Sequence, residues 1–539
     1  TLSMVLNYCT IKKALLFAFV FGLIHGSFAQ SGDAAKFAAP ITTDLLKKHL
    51  TIIASDEMEG RETGTAGQRK AAAYIEAQFK AIGLKAPVNF NGSYQQLYPL
   101  NQDSMVLTES RVKIGDTELE LGTAYITSVV NNTSKSIEGK EFIFVGYGIS
   151  EEKYDDYKNL DVAGKVVVLM LGEPKLNGKF LLSGTSKYSK YTYPGIAAKM
   201  LLAAKKGAIA AIVINPAVAV PNGKIASNNN SSVYYPANGE ENKANYIVIS
   251  HEAANKFFPN WQVDSLVKNA KAGETFDAGK YEKVTTAFSF QYKKEKQIIN
   301  ASNVIGIVEG SDKKDEYVFV TGHYDHLGIR NGKIYYGADD DGSGTCAVLA
   351  MAEAFAKAKA AGKGPRRTMV FMTVSGEEKG LWGSQYYSEN PIFPLDKTSV
   401  DLNIDMVGRI DTERQKDDTL NYVYVIGHNK LSSDLQGINE GANNQNTQLV
   451  LDYKFDDPND PEQIFYRSDH YNFAKKGVPI LFFYDGMLQA DYHKPTDTID
   501  KINWELYKKR VQMIFYTAWE IANRNDMLKR DIPLSDTGR

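Results

Sequence analysis

The sequence runs to 539 residues, long enough for two to four domains at roughly 150 residues each. Hydrophobic residues make up 43% and charged residues 23%, with 62 basic against 64 acidic side chains; this excludes a disordered chain and offers no basic excess to attract nucleic acid. Two cysteines, Cys9 and Cys346, exclude a disulfide scaffold.

Residues 1–29 read as a signal peptide. Lys12 and Lys13 precede an apolar run over 14–24, and Ser27-Phe28-Ala29 puts small residues at the first and third places of a cut site before Gln30. The run is shorter than the ~20 residues a membrane-spanning helix needs. The expectation is export to a periplasm or to the cell exterior, with no stable membrane insertion after cleavage. Cys346 is then the one remaining cysteine, so the core, helped by metal, must hold the fold.

Helices are predicted over 42–50 and 66–82, the second closed by Gly83, with a polar, glycine-punctuated loop at 55–65 between them. Strands follow at 142–147, 165–171 and 208–214, with a helix at 197–206 and a polar loop at 228–232. The 140–260 stretch has no cluster of His, Asp and Glu, and reads as a separate, smaller, non-catalytic domain rich in strand. From about 296, strands at 317–321, 368–374, 399–404 and 478–484 alternate with helical patterns at 345–360 and 511–522. That alternation predicts an α/β fold with a mostly parallel central sheet flanked by helices.

Polar residues gather where these apolar strands end, the place open α/β sheets put their sites. The segments are Thr321-Gly322-His323-Tyr324-Asp325-His326, Gly337-Ala338-Asp339-Asp340-Asp341-Gly342-Ser343-Gly344, Ser375-Gly376-Glu377-Glu378, Asn403-Ile404-Asp405-Met406 and Asp491-Tyr492-His493-Lys494-Pro495. Imidazole and carboxylate donors suit zinc, and manganese or cobalt could use the same set. Two metals about 3.5–4 Å apart can share a bridging carboxylate, hold a hydroxide between them and polarise a carbonyl. One carboxylate must stay off the metal to carry the proton, and adjacent Glu377 and Glu378 can divide those duties between them.

With these five segments in this order, the chain resembles the di-zinc exopeptidases of clan MH, which include bacterial leucyl aminopeptidases, glutamate carboxypeptidase and the transferrin receptor. The resemblance covers the mature chain, with the 55–65 loop similar to the family's N-terminal signature. It implies a peptidase domain split into an N-terminal part at 30–139 and a main catalytic part at 261–539, around an inserted protease-associated domain at 140–260. It also implies two zinc ions. His323 and Asp405 would hold the first, Glu378 and His493 the second, and Asp340 would bridge them. Asp340 is taken over Asp339 and Asp341 because it stands three residues before Ser343, as the family's bridging aspartate does. Asp325 would orient the His323 ring, Glu377 would be the general base, Tyr492 would donate to the oxyanion, and Arg467 of Arg467-Ser468-Asp469-His470 would contact substrate.

The activity so implied is that of a secreted zinc aminopeptidase acting on peptides with a free N-terminus. Asn403-Ile404-Asp405-Met406-Val407-Gly408 resembles the aminopeptidase branch. The alternatives are a carboxypeptidase or dipeptidase, or a single-zinc glutaminyl cyclase of the same family. His326 and His470 read as hydrogen-bonded or packing residues, as do His251 and His428, and Cys346 reads as a buried packing residue.

Overall fold

The structure, a computed structural model, describes residues 33–192, 195–217, 230–235, 242–414 and 420–534. The expected signal peptide lies outside the described residues, as does part of the 228–232 loop. Among the described residues no helix is long and apolar enough to cross a membrane. The chain divides into two compact units, one made of residues up to Pro99 together with Asn300–Arg539, the other of Leu100–Ile299.

The first unit opens with α1 (Thr43–Ile53), capped by Thr42 and burying Leu46, His49, Leu50 and Ile53, the stripe a 3.6-residue period produces. A short 3₁₀ turn, Asp56–Arg61, leads to α2 (Ala66–Ala81), which buries Ala71, Ala72, Ile75 and Phe79. The chain then enters β1 (Gln95–Met105) and passes into the second unit.

That unit is built on one eight-stranded sheet. Its strands are β2 (Arg111–Ile114), β3 (Thr117–Leu119), β4 (Tyr125–Thr127), β5 (Lys135–Phe144), β6 (Val166–Met170), β7 (Ala210–Ile214), β8 (Asn245–Ile249) and β9 (Val284–Tyr292), with helix α3 (Ala197–Lys205) before β7. Their spatial order is β3-β2-β9-β5-β6-β7-β8-β4. The central strands β5 to β8 are parallel, the flanking pairs antiparallel. The unit is therefore wider than the 140–260 expected from sequence. Its upstream strands alternate buried and exposed residues, as β2 does, and lack the continuous apolar runs that make β6 and β7 legible. β5 ends before the predicted 142–147 strand does, because Gly146 and Gly148 turn the chain at positive φ while the Asp156 carboxylate accepts from the N–H groups of Tyr147 and Ile149.

Back in the first unit come β10 (Lys294–Val308), β11 (Lys313–His323), α4 (Gly342–Ala360), β12 (Arg367–Val374), α5 (Trp382–Glu389), β13 (Thr398–Ile404), β14 (Tyr422–Ile426), α6 (Leu435–Asn446), β15 (Val450–Asp452), β16 (Ile480–Tyr484) and the closing α7 (Trp504–Asn523). Here the strand order is β1-β10-β12-β11-β13-β16-β14-β15, and a short strand at Ser231–Tyr234 pairs antiparallel with residues 101–104 of β1 as a ninth, edge strand. β12, β11, β13 and β16 run parallel; β10 runs antiparallel to β12 and β14 antiparallel to β16, while β15 lies parallel to β14. Alternate residues face opposite sides. Val318, Val320, Leu402 and Phe371 pack with α1, α2, α4 and α7, while Phe319, Val370, Met372 and Phe482 form the core of the other face. This is the mostly parallel, helix-flanked α/β sheet expected from the sequence.

Candidate metal centre

The parallel strands bring their carboxyl ends to one edge, and the polar segments collect there. His323 is the last residue of β11, and Asp405 follows β13 directly. Glu377 and Glu378 begin a 3₁₀ turn after β12, entered through Gly376 at φ +76°. Asp340 lies in the turn before α4, and His493 in the loop after β16. Met406 (φ +56°) and His493 (φ +55°) hold left-handed backbone, uncommon outside glycine and frequent at functional sites.

Nε2 of His323 lies 3.3 Å from Oδ1 of Asp340, 3.5 Å from Oδ1 of Asp405 and 3.8 Å from Oε2 of Glu377. Nε2 of His493 lies 3.3 Å from Oδ2 of Asp340 and 2.9 Å from Oε2 of Glu378. Asp340 thus presents one oxygen to each cluster. Nε2 of His323, Oδ2 of Asp340 and Oε1 of Glu378 are buried with no hydrogen-bond partner. Buried polar atoms are nearly always satisfied, so converging orphans of imidazole and carboxylate type fit cations about 2.0–2.2 Å from each donor. Asp341 also brings an oxygen within 4.8 Å of donors on His323 and Asp405. Its carboxylate, however, already accepts from the N–H groups of His323, Gly344 and Met406, which makes it a backbone anchor and α4 cap.

Several residues that sequence reading missed hold this arrangement. Arg61, fully buried, donates to the carbonyls of Ile53, Tyr324, Tyr336 and Gly337, tying the His323 and Asp340 segments to the N-terminal loop. The Thr63 hydroxyl donates to Oδ2 of Asp325 at 2.8 Å and accepts from the Gly376 N–H. Ser468 donates to Oδ2 of Asp405 at 2.6 Å and accepts from Asn403. The Asp497 carboxylate accepts from the N–H groups of Asp339 and Asp340. The sequence signals were slight: Arg61 and Thr63 stand inside the 55–65 loop, and Ser468 beside Arg467.

Asp325 meets His323 differently from expectation. Nδ1 of His323 is 3.1 Å from the Asp325 carbonyl and 3.6 Å from its carboxylate, so the main chain is the closer ring partner. The carboxylate is drawn away because it also accepts from Thr63 and from the Glu377 N–H.

Burial lifts the Glu377 carboxyl well above the usual carboxylate range; His323 opposes the shift and Asp405 and Glu378 add to it. Burial also disfavours charge on His323, but Glu377 and Asp405 outweigh it and hold the imidazole well above its ordinary value. For His493 the same contest, won by Asp340 and Glu378, ends at about 10. Asp340 is held well below its usual range, burial being overcome by His323 and His493.

A pocket beside the cluster is lined by Glu377, Asp405, Met406, Ile464, Arg467, Phe482, Tyr484, Leu488 and Tyr492. The Tyr492 ring stacks on His493 with centroids 3.9 Å apart, and its hydroxyl lies 3.4 Å from Nη2 of Arg467. Arg467 also pairs with Glu462 at 3.2 Å. All the site residues expected from sequence therefore meet at one sheet edge, Arg467 reaching it through Tyr492.

The remaining histidines divide. His470 is buried, with Nε2 2.7 Å from the Phe465 carbonyl and its ring stacked on Phe482. His428 pairs with Asp456, and His251 meets the Asn215 carbonyl. Cys346 is buried in α4, where burial pushes its thiol up. His326, read as a hydrogen-bonded or packing residue, lies inside the second donor cluster, its Nδ1 2.7 Å from Oε1 of Glu378 without the alignment of a hydrogen bond.

Residues 303–518 match peptidase family M28. A probable leucine aminopeptidase of Arthroderma otae is 29% identical over 219 residues, 40% of this chain and 56% of that protein. A probable zinc metalloprotease of Leptosphaeria maculans is 33% identical over 126 residues, 22% of this chain and 27% of that protein. The chain thus spans about half the length, or less, of these relatives. Among solved structures, the fold is similar to an aminopeptidase from Aneurinibacillus sp. strain AM-1, with a TM-score of 0.55 at 18% identity over 93% of this chain and 98% of that one. It is likewise similar to BSAP, a zinc aminopeptidase from Bacillus subtilis, with a TM-score of 0.53 at 18% identity over 92% and 99% of the two chains.

Proposed function

With residues 303–518 belonging to peptidase family M28, we propose that the chain is an exported zinc aminopeptidase that removes N-terminal residues from peptides. The observation that carries this reading is Asp340, whose two oxygens face separate donor sets while the Glu377 carboxylate stands 3.8 Å from Nε2 of His323. His323 and Asp405 would hold one zinc, His493 and Glu378 the other, with Asp340 shared. Bound there, the two ions would polarise the scissile carbonyl and acidify a water.

The chain's own groups do the rest. Glu377 takes the water's proton on its carboxylate and passes it to the leaving amine. Tyr492, whose hydroxyl burial keeps protonated, donates to the developing oxyanion. Met406, Ile464, Phe482 and Leu488 give the pocket apolar walls suited to an apolar N-terminal side chain, and the nearby carboxylates attract the free amine. We read the inserted unit, centred on 140–260, as the protease-associated domain implied by the resemblance. A carboxypeptidase reading needs a cation for the substrate's carboxylate and rests on Arg467, which already pairs with Glu462.

The test is hydrolysis of a free-amine leucine anilide beside its N-acetylated twin, with and without chelator. Cleavage of the free-amine substrate alone, lost on chelation and restored by zinc, is the expected result. Failure to cleave either moves the assignment to the carboxypeptidase or cyclase branch.

A further inference from the structure

We propose that His326 is a further protein donor to the second cation site, alongside Asp340, Glu378 and His493. The inference rests on the two-cation reading above and extends its ligand set. Nδ1 of His326 lies 2.7 Å from Oε1 of Glu378 and 3.9 Å from Oδ2 of Asp340. The first distance is that of a strong hydrogen bond, yet the N–H and acceptor are not aligned for one, and all three atoms lack a hydrogen-bond partner. Buried donor atoms this close, with no aligned hydrogen bond between them, leave lone pairs that a cation can take up. Donor atoms of His326, Asp340 and Glu378 all lie within 4.8 Å of one another, the spread one ion spans.

The ring's seat is built for it. The backbone N–H of His326 donates to the Arg61 carbonyl. Gly337, at φ +53°, packs so closely on the ring that a Cβ there would come within 2.5 Å of Cγ. The side chain is fully buried, whereas that of His493 is 38% exposed. The two rings stand 6.0 Å apart at 69°, approaching Glu378 from different directions. The second site then holds two imidazoles and the first holds one.

The direct test is X-ray absorption on the zinc-loaded full chain, counting imidazoles per zinc. Three imidazoles across two ions are expected for the wild type, and one fewer for His326→Ala. In zinc competition against a chromophoric chelator, His326→Ala should weaken one of the two equivalents about tenfold or more while metal-free circular dichroism stays unchanged. Two imidazoles across two ions in the wild type would overturn the proposal, and this measurement needs no variant. Equal affinities in wild type and His326→Ala would also overturn it while leaving the two-cation reading intact. A wild-type chain that binds no second zinc would overturn both.

Discussion

Glu377 and Glu378 are neighbours in sequence with opposite electrostatic surroundings. Glu378 is held below its ordinary value, His326 and His493 outweighing both burial and Asp340, whereas Glu377 is pushed up by burial. Glu377→Gln should therefore retain both metals and lose about 10²–10⁴-fold in turnover; metal analysis beside kinetics checks this, and loss of metal would mean the two roles are exchanged. Ser468→Ala removes the 2.6 Å donor that fixes Asp405, and chelator competition should show metal affinity falling about 10–100-fold. Ligand-type residues are legible in the sequence because carboxylates and imidazoles crowded at the ends of buried strands carry a desolvation cost that a shared cation offsets. Their supports are not legible in the same way. Thr63 reaches Asp325 from a segment far upstream, and a lone Ser or Thr carries no spacing signal. Spacing also leaves open which way a ring points, which is why the sequence reads His326 as hydrogen-bonded or packing without naming Glu378, the partner it meets in the structure.

Among the elements, the turn before α2 has the largest reach. Arg61→Met would leave the carbonyls of Ile53, Tyr324, Tyr336 and Gly337 without their donor in a buried place, at a cost of about 3 kcal/mol or more. A fall in melting temperature together with weaker zinc binding is the expected signature, because both metal-bearing segments lose their anchor. α1 adds an acid sensitivity. His49 is buried beside Tyr74, its Nδ1 2.8 Å from that hydroxyl, and burial, aided by Lys48, lowers its pKa from 6.5 to about 4. Between those values the unfolded chain binds a proton that the folded chain refuses. The stability is whole above about pH 6.5 and falls by up to about 3 kcal/mol as pH drops toward 4. His49→Gln should flatten the slope of melting temperature against pH in that window, and an unchanged slope would remove His49 as the cause. Buried strands such as β6 and β16 announce themselves as continuous apolar runs. Half-exposed β2 and β9 do not, and so the limits of the second unit escaped sequence reading.

At the scale of the whole molecule, the larger unit is interrupted between residues 99 and 300. The chain leaves it on β1 and returns on β10, which are neighbours in its sheet. Until those strands pair, everything between them is one loop, and closing a flexible loop costs entropy that rises with the logarithm of its length. The second unit shortens that loop by its own pairing, for Arg111 sits opposite Gln291 where β2 meets β9. Folded early, it delivers the two returning ends side by side and spares the larger unit most of the search. Ile114→Ala, a buried truncation in β2, should then slow the recovery of peptidase activity on refolding while leaving the activity of the folded protein unchanged. Equal recovery rates would mean that the units fold without reference to each other. Slower recovery would identify the inserted sheet as a kinetic clasp, with the order in which the two cores form set by where the smaller one interrupts the larger.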